Sequence, residues 1–224
     1  MYKTAAIFSI LASFAAATQA QSIYGQVGVP GVGIGYAYGI SPEFTARADI
    51  STLGSFTHNG SSKDFDYKGK LKFNQLGAYL DWFPFGNGFR VSAGLNFRDA
   101  KLTADANPKD SGRITIGDQT VAFATGDSAV ARVKLPAVAP YLGVGWGHNV
   151  ATQQPGFSFI ADIGVAYGKP KVSMDLNQAL MDRLDAATGG NGRQEVDKQL
   201  SDIRHDANKI KFFPQVFIGM AYRF

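Results

Sequence analysis

Several segments of the chain alternate strictly between apolar and polar side chains. One face of residues 89–98 carries Phe89, Val91, Ala93, Leu95 and Phe97, and the other carries Arg90, Ser92, Gly94, Asn96 and Arg98. A period of two over about ten residues predicts a β-strand with one apolar and one polar face. The same alternation recurs at residues 75–82, 157–167 and 214–224.

Two kinds of fold produce this alternation. A soluble sandwich buries the apolar face, whereas an outer-membrane barrel turns that face to lipid and gathers aromatic residues near the strand ends. The aromatic residues of this chain do lie near strand ends and turns, at Trp82, Trp146, Phe157, Tyr222 and Phe224. We therefore favour the barrel, with the sandwich as the alternative.

The number of strands follows from the segments and from parity. Seven strands are predicted at residues 32–39, 43–56, 71–83, 89–102, 137–147, 157–172 and 211–224. Bacterial barrels have even strand numbers, and residues 23–29, which precede a Pro-Gly turn, supply the eighth. The predicted fold is all-β, an eight-stranded antiparallel transmembrane barrel in the bacterial outer membrane.

The connections between the strands differ in length. Residues 40–42, 84–88 and 148–156 are expected to form short periplasmic turns, and residues 57–70, 103–136 and 173–210 longer extracellular loops. In the last loop, leucines at 176, 180 and 184 and apolar residues at 196, 200 and 203 predict two short amphipathic helices. These helices either cover the barrel mouth as a lid or pack on its rim. Residues 113–121 predict a small hairpin.

Both ends of the sequence carry export features. Residues 1–20 have a lysine, an apolar stretch and small residues before a cleavage point, which predicts a signal peptide and a mature barrel of residues 21–224. The final strand places Tyr222 and Phe224 on its apolar face and ends on Phe, as the C-terminal signal of outer-membrane proteins does. Expected partners are the barrel-assembly machinery and outer-membrane lipid.

Composition narrows the possible chemistry. The 224 residues include no cysteine, which excludes a disulfide scaffold, a Cys nucleophile and a Cys-ligated zinc site. The net charge of +4 is not gathered in runs, so we expect no nucleic-acid partner. The three histidines, His58, His148 and His205, fall in predicted loops and are expected to be solvated. No G-x-S-x-G motif is present, and we expect neither an enzyme nor a bound metal or cofactor.

The polar faces of the strands place charges in the predicted lumen. These residues are Arg47, Asp49, Asp81, Arg90, Arg98, Asp162 and Arg223. The interior of an eight-stranded barrel is just wide enough for side chains to fill it, so the charges either form a salt-bridged plug or line a narrow, switchable path. The aspartates would attract cations and the arginines would hold a carboxylate, which suits small cationic or zwitterionic solutes. The alternating glycines at 143, 145 and 147 are expected to be small lumen-facing or kink positions.

Three segments resemble a known family. Residues 139–145 (APYLGVG), residues 163–172 (IGVAYGKPKV) and the run from Glu195 to Arg204, followed by Phe213-Pro214, resemble the CarO-type small outer-membrane β-barrel proteins of proteobacteria. The resemblance implies an outer-membrane barrel and uptake of small amino acids, notably basic ones such as ornithine, and of carbapenems. We expect a narrow channel for such solutes; the alternative is a closed structural or surface-binding barrel that acts through its extracellular loops.

Overall fold

The computed structural model describes residues 20–61, 65–109, 112–151 and 154–224. The predicted signal peptide therefore lies outside the described residues, apart from Ala20. The elements are β1 Gln21–Val29, β2 Gly31–Ser41, β3 Phe44–Ser61, β4 Phe65–Trp82, β5 Phe89–Pro108, β6 Gly112–Ile116, β7 Gln119–Phe123, β8 Ala129–Lys134, β9 Val138–Trp146, β10 Gly156–Tyr167, β11 Lys171–Leu176, α1 Gln178–Thr188, α2 Gly192–Ala207 and β12 Phe212–Arg223.

Eight of these strands close into a ring. Its order is β1, β2, β3, β4, β5, β9, β10, β12 and back to β1, with every neighbouring pair antiparallel. The first and last strands pair from Ser22 opposite Arg223 to Val29 opposite Val216, which completes the closure. This confirms the predicted eight-stranded antiparallel barrel, including the strand before residue 30.

The barrel is apolar outside and charged inside. Outward-facing Ile34, Ile50 and Leu142 are 72%, 61% and 60% exposed, whereas inward-facing Asp81 and Arg90 are 0% exposed. A soluble sandwich would show the opposite, because burial of apolar surface drives its folding. An exposed belt of large apolar side chains on a closed barrel instead requires lipid around it. The arrangement therefore excludes the sandwich alternative.

The shortest connection shows why the sequence turns where it does. Gly31 follows Pro30 and has φ of +96°, a backbone conformation that side chains disfavour. A Cβ at this position would also lie 2.2 Å from the carbonyl oxygen of Thr52 on the neighbouring strand. Glycine is thus required both for the β1–β2 turn and for the close approach of β3.

Several predicted boundaries are wrong at the extracellular end. Residues 57–70 are mostly strand, because β3 and β4 continue as a hairpin beyond the barrel, and β5 likewise runs to Pro108. The predicted strand 157–172 is two strands, since β10 ends at Tyr167 and β11 pairs with β8 instead. Pro170 separates the two, and a proline cannot donate to a continuing ladder.

The long connections fold into a structure of their own, which we call the cap: β6, β7, β8, β11, α1 and α2. The side chains of Ile116, Phe123, Leu180 and Leu184 are 0% exposed and form its apolar core. The predicted hairpin and both helices are confirmed, and the helices pack on the hairpin and on β11. One detail is wrong: Leu176 ends β11, and α1 starts after it because Asn177 caps its first turn.

Neither helix of the described residues is long and apolar enough to span a bilayer.

Candidate functional site

Four charged side chains from four strands meet in the half of the lumen nearer the chain termini, which is the half expected to face the periplasm. We call Arg47, Asp81, Arg90 and Asp162 the ion cluster. Arg90 Nη2 lies 2.8 Å from both carboxylate oxygens of Asp162, and Arg47 Nε lies 2.9 Å from Asp81 Oδ2. Weaker contacts of 3.3 Å from Arg47 to Asp162 and 3.5 Å from Arg90 to Asp81 link the two pairs. Each arginine therefore contacts both aspartates.

The strand register explains why these side chains can meet. Arg90 on β5 and Asp162 on β10 both lie opposite Gly145, which occupies β9 between them. A Cβ on Gly145 would lie 2.9 Å from Arg90 Cζ. Glycine on the intervening strand thus leaves the space that the guanidinium occupies. Gly145 is thus a small lumen-facing position, as expected, and it leaves room for the side chain of Arg90.

Uncharged groups complete the ion cluster. Ser92 Oγ donates to Asp81 at 2.6 Å and accepts from Arg90 Nη1 at 2.7 Å, while Arg90 Nε donates to the carbonyl oxygen of Gly147 at 3.1 Å. Buried charges are stable only when paired and hydrogen-bonded, and the side chains of the cluster are 0–4% exposed. The four charges of the cluster are therefore compensated by one another and by neighbouring polar groups inside the barrel.

Asp49 borders the cluster on its extracellular side. Its Oδ2 accepts hydrogen bonds from the hydroxyl of Tyr24 at 3.1 Å and from Gln26 Nε2 at 3.3 Å, and lies 3.9 Å from Arg47 Nη1. Its Oδ1 is buried and has no hydrogen-bond partner among the described residues. Asp49 is thus only partly compensated by the protein.

Arg98 lies further toward the extracellular mouth. Its Nε donates to Gln75 Oε1 at 3.0 Å, and Gln75 in turn contacts Gln215 across the lumen. The guanidinium is 5.5 Å from the ring centre of Phe213. Nη1 and Nη2 have no hydrogen-bond partner in the part of the chain that the structure describes, although Arg98 is only 7% exposed. Arg98 therefore does not join the ion cluster.

Arg223 is also separate, at the periplasmic end, where its Nε donates to the carbonyl oxygen of Gln154 at 3.2 Å. Of the seven lumen charges predicted from the sequence, five thus lie together and two lie apart.

Sequence reasoning missed the polar partners Ser92, Tyr24 and Gln75. The sequence could have identified them, because each occupies a lumen-facing position in the same alternation of apolar and polar residues that identified the lumen charges.

The expectation that the histidines are solvated loop residues is wrong for His148. The turn after β9 folds back into the end of the barrel, leaving His148 1% exposed, with its ring 4.4 Å from that of Tyr24. Burial, followed by the charges of nearby arginines, lowers the pKa of His148 well below its usual value. His58 lies in β3 and His205 in α2 rather than in loops. No group of three or more metal-ligating side chains occurs within the described ranges.

Comparison with solved structures identifies the same architecture. The chain is similar to CarO2 of Acinetobacter baumannii, with a TM-score of 0.57 and 19% identity over 93% of this chain and 100% of that one. CarO of the same organism has a TM-score of 0.51 and 16% identity, over 91% of this chain and 97% of that one. The chain has the CarO-type barrel fold. A major outer membrane protein from Thermus thermophilus is less similar, with a TM-score of 0.44 and 13% identity over 93% of this chain and 100% of that one.

Sequence comparisons add no relative. No family model matches the chain, and no curated protein matches it. At these identities the structural similarity shows the fold alone, and it confirms the resemblance inferred from the sequence at that level. The fold and the exposed apolar belt are those of an outer-membrane protein, as predicted.

Proposed function

We propose that the protein is a narrow outer-membrane channel for small zwitterionic or cationic solutes such as amino acids, closed at rest by the ion cluster. The observation that carries the proposal is the pair of opposite charges on the extracellular side of the cluster. Asp49 Oδ1 and both terminal nitrogens of Arg98 are buried, and the described protein residues leave them without hydrogen-bond partners.

Unpartnered buried charges indicate what the lumen accepts. A buried polar group without a partner costs several kcal/mol in order of magnitude, so water or a solute must satisfy these atoms. A guanidinium binds a carboxylate through two parallel hydrogen bonds, and a carboxylate binds an ammonium group. One small molecule with both groups can therefore satisfy Arg98 and Asp49.

The register places the two charges in sequence along the lumen. Arg98 lies opposite Gln75, which lies opposite Ser51, and Asp49 is one inward position closer to the periplasm than Ser51. A solute from outside would meet the arginine first and the aspartate second. Beyond Asp49 it would meet Arg47, whose Nη1 is already 3.9 Å from that carboxylate.

The cluster has the connectivity that a gate needs. Each of its arginines contacts both of its aspartates, at distances from 2.8 to 3.5 Å. A guanidinium can therefore release one carboxylate while it keeps the other. A solute that carries both charges can replace the released partner, so that no buried charge is left alone.

The test is flux through liposomes that contain the refolded mature chain. Lysine, ornithine and a neutral amino acid are compared with cadaverine, which is lysine without its carboxylate, and with empty liposomes. We expect Arg98→Gln to reduce lysine flux about tenfold, which corresponds to loss of one charged contact, and to leave cadaverine flux unchanged. Asp49→Asn should reduce both, and Lys198→Gln in the cap is the matched control. An Arg98→Gln variant that lowers lysine and cadaverine flux by the same factor would contradict the proposal.

A second candidate is a closed barrel that acts through its cap. It is favoured by the completeness of the ion cluster, whose Arg90 and Asp81 are 0% exposed, and by the separate apolar core of the cap. This candidate predicts that every solute crosses at the rate of empty liposomes, although heat-shifted gel mobility shows a folded barrel. The same experiment therefore separates the two functions.

A further inference from the structure

The outer surface of the barrel carries an unusual line of like charges just above its apolar belt. Lys72 on β4 lies directly opposite Lys101 on β5, Lys101 lies opposite Lys134 on β8, and Lys134 lies opposite Lys171 on β11. We call these four residues the lysine row. Directly opposed like charges in a sheet repel and destabilise the pairing. Three such pairs in succession therefore require an explanation.

The lysine row faces outward, in line with the lipid-facing residues. Side chains of one strand alternate between faces, so Lys72 shares its face with Leu76 and Lys101 shares its face with Phe97. Leu76 and Phe97 are 47% and 43% exposed on the outer wall. Directly paired residues point to the same side, which places Lys134 and Lys171 on that wall as well.

The height of the row corresponds to lipid headgroups. Lys101 is four residues beyond Phe97, which is about 13 Å along a strand, or about 10 Å along the membrane normal at the usual tilt of about 40°. The polar headgroup layer begins at the edge of the hydrocarbon region and is about 5–7 Å thick on each side. A lysine side chain can bend back by several ångströms, so its amine reaches this layer.

The protein compensates only one member of the row. Lys72 Nζ lies 2.6 Å from Asp99, whereas Lys101, Lys134 and Lys171 form no ion pair with any carboxylate of the described residues. Four lysines against one aspartate leave a net charge of +3.

A cavity opens between these side chains. It has a volume of about 280 Å³ and is lined by Lys72, Lys101, Lys134 and Asp99, together with Arg98, Ala100, Leu135 and Ala137. A phosphate group fits within such a volume, and its oxygens accept hydrogen bonds from several ammonium groups at once. The cavity is thus a polar pocket of positive charge at the upper edge of an apolar surface.

From this juxtaposition we propose that the lysine row and its cavity bind the phosphorylated headgroup of an outer-leaflet lipid. The acyl chains of that lipid lie along the apolar belt below, on Leu76 and Phe97, and its phosphate relieves the repulsion between Lys101 and Lys134. Charge complementarity and continuity with the lipid-facing wall favour a lipid over a soluble anion. The binding site does not depend on whether the lumen conducts.

The test measures binding of a bisphosphorylated glycolipid to the refolded barrel in neutral detergent micelles by native mass spectrometry. Lys101→Gln with Lys134→Gln should weaken binding about 30-fold, because each lysine near a charged lipid surface contributes a factor of about five. Lys101→Arg with Lys134→Arg should retain binding. Lys198→Gln with Lys209→Gln removes the same charge near α2 and should have no effect. Heat-shifted gel mobility confirms that each variant is folded.

Three outcomes would overturn the proposal. The first is equal binding by the wild type and the Lys101→Gln, Lys134→Gln variant. The second is equal binding of the same glycolipid after removal of its phosphates, which would indicate contact through acyl chains alone. The third is full displacement of the glycolipid by an equal concentration of free pyrophosphate, which would indicate a site for soluble anions.

Discussion

Replacement of Arg90 by methionine tests the energetic role of the ion cluster. Arg90→Met removes two hydrogen bonds of 2.8 Å to Asp162 and one of 2.7 Å to Ser92. With Asp49 included, the lumen then holds three buried carboxylates near one guanidinium, that of Arg47. Removing one partner of a buried pair costs about 3–5 kcal/mol, and because Arg90 makes several short hydrogen bonds, we expect a cost in the upper part of that range.

The assay is equilibrium unfolding of the barrel in lipid vesicles by guanidinium chloride, followed by the fluorescence of its tryptophans. Arg132→Met is the matched control, because Arg132 pairs with Asp175 at the surface, where such pairs are worth at most about 1 kcal/mol. Adding Asp162→Asn to Arg90→Met should recover part of the loss, since it removes the stranded carboxylate. Equal losses for Arg90→Met and Arg132→Met would show that Arg90 stabilises the barrel no more than a surface ion pair does.

Three further predictions concern packing, pH and the cap. Gly145→Ala places a Cβ 2.5 Å from a backbone carbonyl oxygen and should lower the free energy of unfolding by about 1–3 kcal/mol. Gly25→Ala is the control and should be near neutral, because a Cβ at lipid-facing Gly25 meets nothing within 4 Å. Unfolding midpoints measure both effects. The folded chain keeps His148 neutral, while the unfolded chain protonates it below about pH 6.5. The free energy of unfolding should therefore fall as the pH is lowered from about 7 to about 5. His148→Phe should remove this part of the pH dependence, and an unchanged dependence would contradict the assignment. Leu184→Ala should destabilise the cap by about 2–5 kcal/mol, seen as faster proteolysis within α1 and α2 with heat-shifted mobility retained.

The barrel was predictable because its signal is local. Alternation along residues 89–98 fixes which side chains share a face, and parity supplies the eighth strand. The extracellular ends were not predictable in the same way. Above the apolar belt the outward face becomes polar, as at Lys70 and Lys72, and the alternation that defines a strand is lost.

The candidate site was predictable in composition but not in pairing. The alternation of side chains along each strand is enough to identify Arg47, Asp81 and Asp162 as lumen charges. Which of them touch depends on the stagger between strands that are far apart in sequence, such as the 72 residues between Arg90 and Asp162. His148 was misplaced for a related reason, because a turn that folds inward leaves no periodic signal in the sequence.

In the proposed function the ion cluster closes the lumen and acts as its gate. Single-channel conductance in planar bilayers tests it most directly, with the wild type compared with Asp162→Asn, which keeps the shape of the side chain and removes the carboxylate held by Arg90. We expect the wild type to be closed for most of the time and the variant to open more often. A wild type that conducts continuously, or a variant with the same opening frequency as the wild type, would contradict it.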